Sequence, residues 1–298
     1  KINTMACIFA SYHTFIAALG LQMTALSGDL ARRKTSSRKR NYAMPEKAPS
    51  LCFLSSEADD AKKAKAELVG RYGNVPAGDA DYIVALGGDG FMLQTLHETM
   101  NSETPVYGMN RGSVGFLMNE YSTENLHERL QAADMNELRP LRMTTRNADG
   151  TSSIALAINE VSMLRQSHQA AKLKVRVDDR VRLPELACDG ILVATPAGST
   201  AYNLSVHGPI IPLEAPLLAI TPVSAFRPRR WRGALLPNRS VVDIEVLEPE
   251  KRLVNAFADH TEVKHVLHVR IEQDPEARAK VLSDPNRSWS ERILAEQF

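Results

Sequence analysis

Residues 82–90, Tyr-Ile-Val-Ala-Leu-Gly-Gly-Asp-Gly, constrain the fold more than any other stretch. An apolar run of strand length opens there into a turn of three glycines and one carboxylate. Without a Cβ on Gly87, Gly88 or Gly90, backbone N–H groups can point at phosphate oxygens, and residues 91–100 read as a helix whose N-terminus favours anions. Asp89 is the anomaly. A carboxylate beside phosphate is repelled, so it implies a compensating metal ion or a proton to be taken from a nucleophilic hydroxyl. A plainer reading stays open, in which Asp89 merely caps the helix that follows.

The flanking pattern places this turn in a parallel sheet. A strand over residues 51–54 leads through Ser55 and Ser56 into a charged helix over 57–72, stopped by Gly73, and a short strand over 106–109 follows the 91–100 helix. Alternation of this kind puts ligands at the carboxyl ends of the strands, where Gly87 to Gly90 fall and where residues 110–117, Asn-Arg-Gly-Ser-Val-Gly-Phe-Leu, line the same edge. After Arg139 the pattern becomes β-rich, with strands over 141–145, 154–158, 173–177, 191–194, 241–246 and 266–271. Turns at 147–150 and 178–180 suit hairpins, and Pro209, Pro212, Pro216, Pro222, Pro228 and Pro237 are expected between strands. Residues 288–298 read as a helix.

Charge and cysteines exclude several classes. The 298 residues carry a formal net charge of +1, but residues 1–43 hold seven of the 36 Lys and Arg and only one of the 35 Asp and Glu, so the remainder is acidic. Such a body offers no electrostatic footprint for nucleic acid, and an anionic substrate must be met by local donors and metal. Cys7, Cys52 and Cys188, odd in number and without metal-ligand spacing, fit a reducing compartment with no structural disulfide and no zinc. Residues 6–26 are apolar but interrupted by Ser11, His13, Gly20 and Gln22, which suits neither a membrane span nor a secretory signal. Residues 1–43 are expected to be a basic, disordered leader dispensable for activity, with the globular chain opening near Met44.

Three polar groups stand at strand ends in the β-rich part. Asn159-Glu160 follows an apolar run and can grip ribose hydroxyls, Asn as donor and acceptor and Glu as acceptor. Asp189 precedes the strand over 191–194, which runs into Thr-Pro-Ala-Gly-Ser-Thr-Ala-Tyr-Asn-Leu-Ser at 195–205. Pro196 and Gly198 force a turn, Ser199 or Thr200 can cap a short helix, Tyr202 can stack on a base, and Asn203 and Ser205 can reach polar atoms.

In order and spacing, Gly87-Gly88-Asp89-Gly90, residues 110–117, Asn159-Glu160, Asp189-Gly190 and residues 195–205 resemble the NAD kinase family, and the likeness extends over residues 51–298. The run Arg227-Pro228-Arg229-Arg230-Trp231-Arg232-Gly233 resembles its alphaproteobacterial branch. The resemblance implies an N-terminal Rossmann-like α/β domain (44–140), a C-terminal β-sandwich domain that binds NAD (141–275), an active site between them, and a segment (276–298) packing back on the first domain. It also implies transfer of the γ-phosphate of ATP to the 2′-hydroxyl of the adenosine ribose of NAD, with a divalent metal, Mg2+, in a cytoplasmic homodimer or homotetramer.

By matching positions, Asp89 would accept the proton, with Gly90 beside it at the substrate and Gly87, Gly88 and Gly90 as the phosphate loop. Asn159 and Glu160 would hold ribose hydroxyls, and Asp189 a polar group of the dinucleotide. Ala197 would be a close backbone contact, and Thr200, Ala201, Tyr202, Asn203, Leu204 and Ser205 would line the adenosine side. No metal ligand is assigned to a protein side chain. Two departures stand out: Phe91 replaces the usual threonine after the glycine motif, and residues 259–261 read Asp-His-Thr, where His260 is a possible ligand contact. A lipid or sugar kinase, or a dinucleotide sensor without turnover, is the competing reading. The polar 195–205 segment offers no apolar cleft for acyl chains, and Asp89 is electrostatically wasteful in a pure binding loop.

Overall fold

In a computed structural model, the described residues are 48–112, 115–285 and Arg292. The leader expected over 1–43 and, Arg292 apart, the helix expected over 288–298 lie outside them.

The α/β part begins with strand β1 (Leu51–Ser55), helix α1 (Asp59–Tyr72), β2 (Tyr82–Gly87), α2 (Asp89–Glu98), β3 (Val106–Asn110), α3 (Leu126–Ala132) and β4 (Asp134–Leu138). The β-rich part follows with β5 (Leu141–Asn147), β6 (Ser152–Ala157), β7 (Glu160–Arg165), β8 (Ala171–Val177), β9 (Arg180–Cys188) and β10 (Gly190–Ala194). A 3-10 turn (Ala197–Thr200) and the short α4 (Tyr202–Ser205) lead to β11 (Leu217–Val223), β12 (Ala234–Pro237), β13 (Val242–Val246), β14 (Val254–Ala258), β15 (Thr261–Val263), β16 (Val266–Gln273) and β17 (Ala279–Ser283).

The first sheet has the order β1-β2-β3-β17-β4, parallel from β1 through β17 with β4 antiparallel at one edge. Strand alternation sorts its side chains onto two faces. Phe53, Val84, Leu86 and Tyr107 meet Ala61, Ala64 and Leu68 of α1 and Leu126 and Leu130 of α3, whereas Cys52, Ile83, Ala85 and Val106 meet Met92 and Leu96 of α2. Helix α1 ends where Gly73, at φ 76°, turns its N–H back to the Val69 carbonyl.

The β-rich part is a sandwich of two antiparallel sheets, ordered β12-β11-β10-β7-β14-β15 and β6-β5-β16-β13-β8-β9. Met163, Ile191, Val193 and Ala256 of one sheet interdigitate with Met143, Val175, Ile244 and Val269 of the other. Ile158 and Ala197 leave this core and bury themselves against Met92, Leu96 and Leu117, so one apolar cluster joins sandwich and α/β layers. No helix among the described residues is long and apolar enough to cross a membrane.

Three expectations are corrected. Helix α2 starts at Asp89 rather than Phe91 and stops at Glu98, because Gly88 already occupies the cap position and Asn101 has turned left-handed at φ 67°. Pro222 and Pro237 lie within strands. Pro222 falls beyond the β11 residues that pair with β12, so its missing N–H breaks no bond to that neighbour. Strands β4, β7, β9, β11, β12, β14, β15 and β17 were not expected from the sequence either. Buried on both faces or at an exposed edge, they lack clean alternation.

Candidate active site

Parallel pairing of β2 with β3 brings Gly87 opposite Asn110, so the glycine turn and the 110–117 segment leave the sheet side by side. The Arg111 N–H donates to the Gly87 carbonyl at 2.8 Å, and the Gly112 N–H to Asn110 Oδ1 at 3.0 Å. Asp89 does not cap its own helix. Its carboxylate reaches across the edge, where Oδ2 accepts the Phe116 N–H at 2.7 Å and Oδ1 the Leu117 N–H at 2.9 Å. A Cβ on Gly115 would stand 2.4 Å from Oδ1, so only glycine lets the segment close over the carboxylate. Among the described residues, a Cβ at Gly88 or Gly90 would meet nothing within 4 Å, so the space beside those two α-carbons is open, whereas at Gly87 it would strike Phe91. Each Asp89 oxygen keeps a lone pair for an incoming donor.

The β-rich part contributes a second wall. Asn159 lies in the bend between β6 and β7, and Glu160 opens β7. The Thr195 N–H donates to the Asn159 carbonyl at 2.9 Å, and Thr195 Oγ1 donates to the Ile158 carbonyl at 2.7 Å while accepting the Gly198 N–H at 3.1 Å. Gly198 passes so close that a Cβ would lie 2.1 Å from the Asn159 oxygen. Glu160 Oε2 is buried and has no hydrogen-bond partner among the described residues. Burial, and then the neighbouring Asp259 carboxylate, push the Glu160 carboxyl up to about 8. An orphaned buried acceptor of this kind suits a hydroxyl donor.

Tyr202 joins the group. Burial first, then the Glu160 and Asp189 carboxylates, raise its phenol, which places the ring near both acids. Asp189 is not free: Oδ1 accepts Arg165 Nε–H at 2.5 Å, and its carboxylate is about half exposed. Thr200, Ala201 and Leu204 are partly exposed and Ser205 is exposed.

Other residues of the 195–205 segment face inward. Ser199 caps no helix; its hydroxyl donates to the Pro196 carbonyl at 2.7 Å and accepts the Ile211 N–H at 2.9 Å. Asn203 is fully buried, its amide donating to the Ser199 and Pro209 carbonyls and accepting Thr221 Oγ1–H at 2.7 Å. That amide ties the segment down instead of reaching polar atoms outside it. Ala197 turns its methyl into the core shared by the two parts.

Sequence reasoning missed two residues that brace this geometry. Asp259 accepts the N–H groups of Ile158, Asn159 and Glu160, and His97 of α2 bonds the same carboxylate at 2.7 Å. His260, singled out in the sequence, is exposed, its ring edge-on to His97 at 5.1 Å. Among the described residues no three His, Cys, Asp or Glu side chains gather to hold a metal ion.

The chain matches the ATP-NAD kinase N-terminal domain over residues 30–134 and the ATP-NAD kinase C-terminal domain over 158–274. It is 66% identical over 255 residues to an NAD kinase of Rhizobium meliloti (strain 1021), covering 86% of this chain and 99% of that protein. The chain belongs to the NAD kinase family. A further relative, the NAD kinase of Mesorhizobium japonicum, is 59% identical over the same coverage, and the family's alphaproteobacterial branch is where the high identities lie. The first domain match reaches back to residue 30, ahead of the residues 51–298 over which the resemblance was read and into the stretch expected to be a leader.

Two solved structures share the fold. A yeast NADH kinase complexed with NADH superposes with TM-score 0.73 at 19% identity, covering 83% of this chain and 87% of that one. An NAD kinase from Archaeoglobus fulgidus in complex with ATP gives 0.65 at 23% identity, covering 80% and 95%. The activity is that of an NAD kinase, a phosphotransferase of NADP biosynthesis.

Proposed function

We propose that the edge carrying Asp89 and the wall carrying Glu160 form one catalytic cleft, in which the 2′-hydroxyl of the adenosine ribose of NAD attacks the γ-phosphate of ATP. One observation carries this reading: the Asp89 carboxylate is held by two backbone N–H groups beside open space over Gly88 and Gly90. Asp89 receives the hydroxyl proton. An alcohol is a weaker acid than a carboxylic acid by roughly ten or more units, so the proton moves during or after P–O bond formation and not before it. Most of the acceleration then comes from positioning, with general-base help worth about 10²–10⁴-fold.

Glu160 Oε2 takes a ribose hydroxyl, Asn159 shares that sugar, Tyr202 lies against the base, and Thr200, Ala201, Leu204 and Ser205 line the adenosine side. Asp189, paired with Arg165, orients a polar group of the dinucleotide. The amides of Gly87, Gly88 and Gly90 face the phosphates of ATP. With no cluster of His, Cys, Asp or Glu side chains among the described residues to cage an ion, Mg2+ would be held chiefly by the phosphate oxygens of ATP. Such an ion, when bound, neutralises phosphate charge. We place the enzyme in the cytoplasm as a homodimer or homotetramer.

The test is direct: incubate the protein with ATP, Mg2+ and either NAD or NADH, and detect product with an NADP-specific dehydrogenase. Formation of NADP that stops without ATP supports the reading. Turnover of a lipid acceptor in its place, or binding without turnover, would refute it.

A further inference from the structure

Asp259 and His97 have no part in the chemistry above, yet they join its two walls. Asp259 sits between β14 and β15 in a left-handed conformation, φ 49°, with a fully buried side chain. One oxygen accepts the His97 Nε2–H and the Ile158 N–H, both at 2.7 Å; the other accepts the N–H groups of Asn159 at 3.0 Å and Glu160 at 3.1 Å. Its own N–H donates to the Glu160 carbonyl at 3.1 Å. A buried carboxylate is costly unless its lone pairs are filled. Here the turn bearing Asn159 and Glu160 fills them, together with one side chain from the α/β part.

That side chain, His97, stands in the last turn of α2. Asp89 is the first residue of the same helix, eight positions and roughly 12 Å along the axis. We propose that His97 is a positioning residue for phosphoryl transfer, with α2 as a strut whose one end carries Asp89 and whose other end, through Asp259, grips the Asn159–Glu160 turn. The proposal rests on the roles given above to Asp89 and to that turn. Apolar packing of Met92 and Leu96 against Ile158 and Ala197 brings the walls together but is non-directional. A short, charge-assisted hydrogen bond to a buried carboxylate sets distance and angle. Reaction rates respond to that precision, since a misplacement of about 1 Å can cost about 10²-fold.

The experiment compares steady-state kinetics of His97→Ala and His97→Gln, each alone and combined with Asp89→Asn. His97→Ala should lower kcat about 10- to 100-fold, with KM for NAD and ATP changed less than about threefold. His97→Gln, whose amide N–H can span a similar gap, should recover to within about threefold of wild type. In the Asp89→Asn background His97→Ala should cost less than about threefold more, because the group it places is already gone. A folded His97→Ala enzyme within about twofold of wild type, or one losing the same factor in both backgrounds, overturns the strut. If His97→Ala does not fold, His97→Asn, one methylene shorter than Gln, takes its place in the same comparison. Wild-type turnover of Asp89→Asn alone would instead remove the catalytic reading, and the strut with it.

Discussion

Glu160→Gln should change how the stability of this enzyme depends on pH, by an amount the structure sets. Burial and the nearby Asp259 carboxylate raise the Glu160 carboxyl from its ordinary 4.5 to about 8 in the folded chain. The folded state therefore prefers the protonated form. The stabilising contribution of that proton is fully present below pH 4.5, declines as pH rises, and is gone above about pH 8. A rise of this size corresponds to at most about 5 kcal/mol, and local relaxation around the carboxyl leaves about 2 kcal/mol or more. Glutamine keeps the shape and cannot ionise, so the variant escapes the loss. For a protein of this size, about 2 kcal/mol moves Tm by about 3–4 °C. The assay is thermal unfolding of both proteins, without nucleotide, from pH 5 to pH 9. Tm of the variant minus Tm of wild type should become more positive across that interval by several degrees. A difference that stays constant with pH would show that Glu160 ionises as readily folded as unfolded, and the account of its burial would be wrong.

Asp89→Asn should lower kcat by about 10² or more with little change in KM for NAD. Because an amide nitrogen would then face the Phe116 or Leu117 N–H, it should also lose about 1–3 kcal/mol of stability, measurable by denaturant titration. Gly115→Ala places a methyl 2.4 Å from Asp89 Oδ1 and should turn the carboxylate away, reducing kcat by about tenfold or more in initial-rate assays. Chelation of divalent metal should abolish NADP formation and leave Tm of the protein alone within about 2 °C, since among the described residues no side-chain cluster is built to hold an ion during folding.

Much of this was legible along the chain. The 82–90 run announces strand, turn and helix because backbone sterics and apolar periodicity act over a few residues, and α1 with its Gly73 stop obeys the same local rules. Glycine without a Cβ marks where something must come close, though not what. Tertiary structure supplied the partner: at Gly115 it is the carboxylate of Asp89, and at Gly198 the carbonyl of Asn159. The sequence suggested a helix cap for Ser199 and an outward reach to polar atoms for Asn203, but only packing could show that both are consumed inside the fold.

The bond between His97 and Asp259 joins residues 162 positions apart, and β17 enters the first sheet beside β3 from the far end of the chain. Neither contact leaves a trace in a window of sequence. The chain by itself determined which elements form and which residue types stand at their ends, because those follow from local torsions and burial. Which amides hold Asp89, which acceptor is left unfilled at Glu160, and what spans the two walls were decided only when distant segments closed on one another.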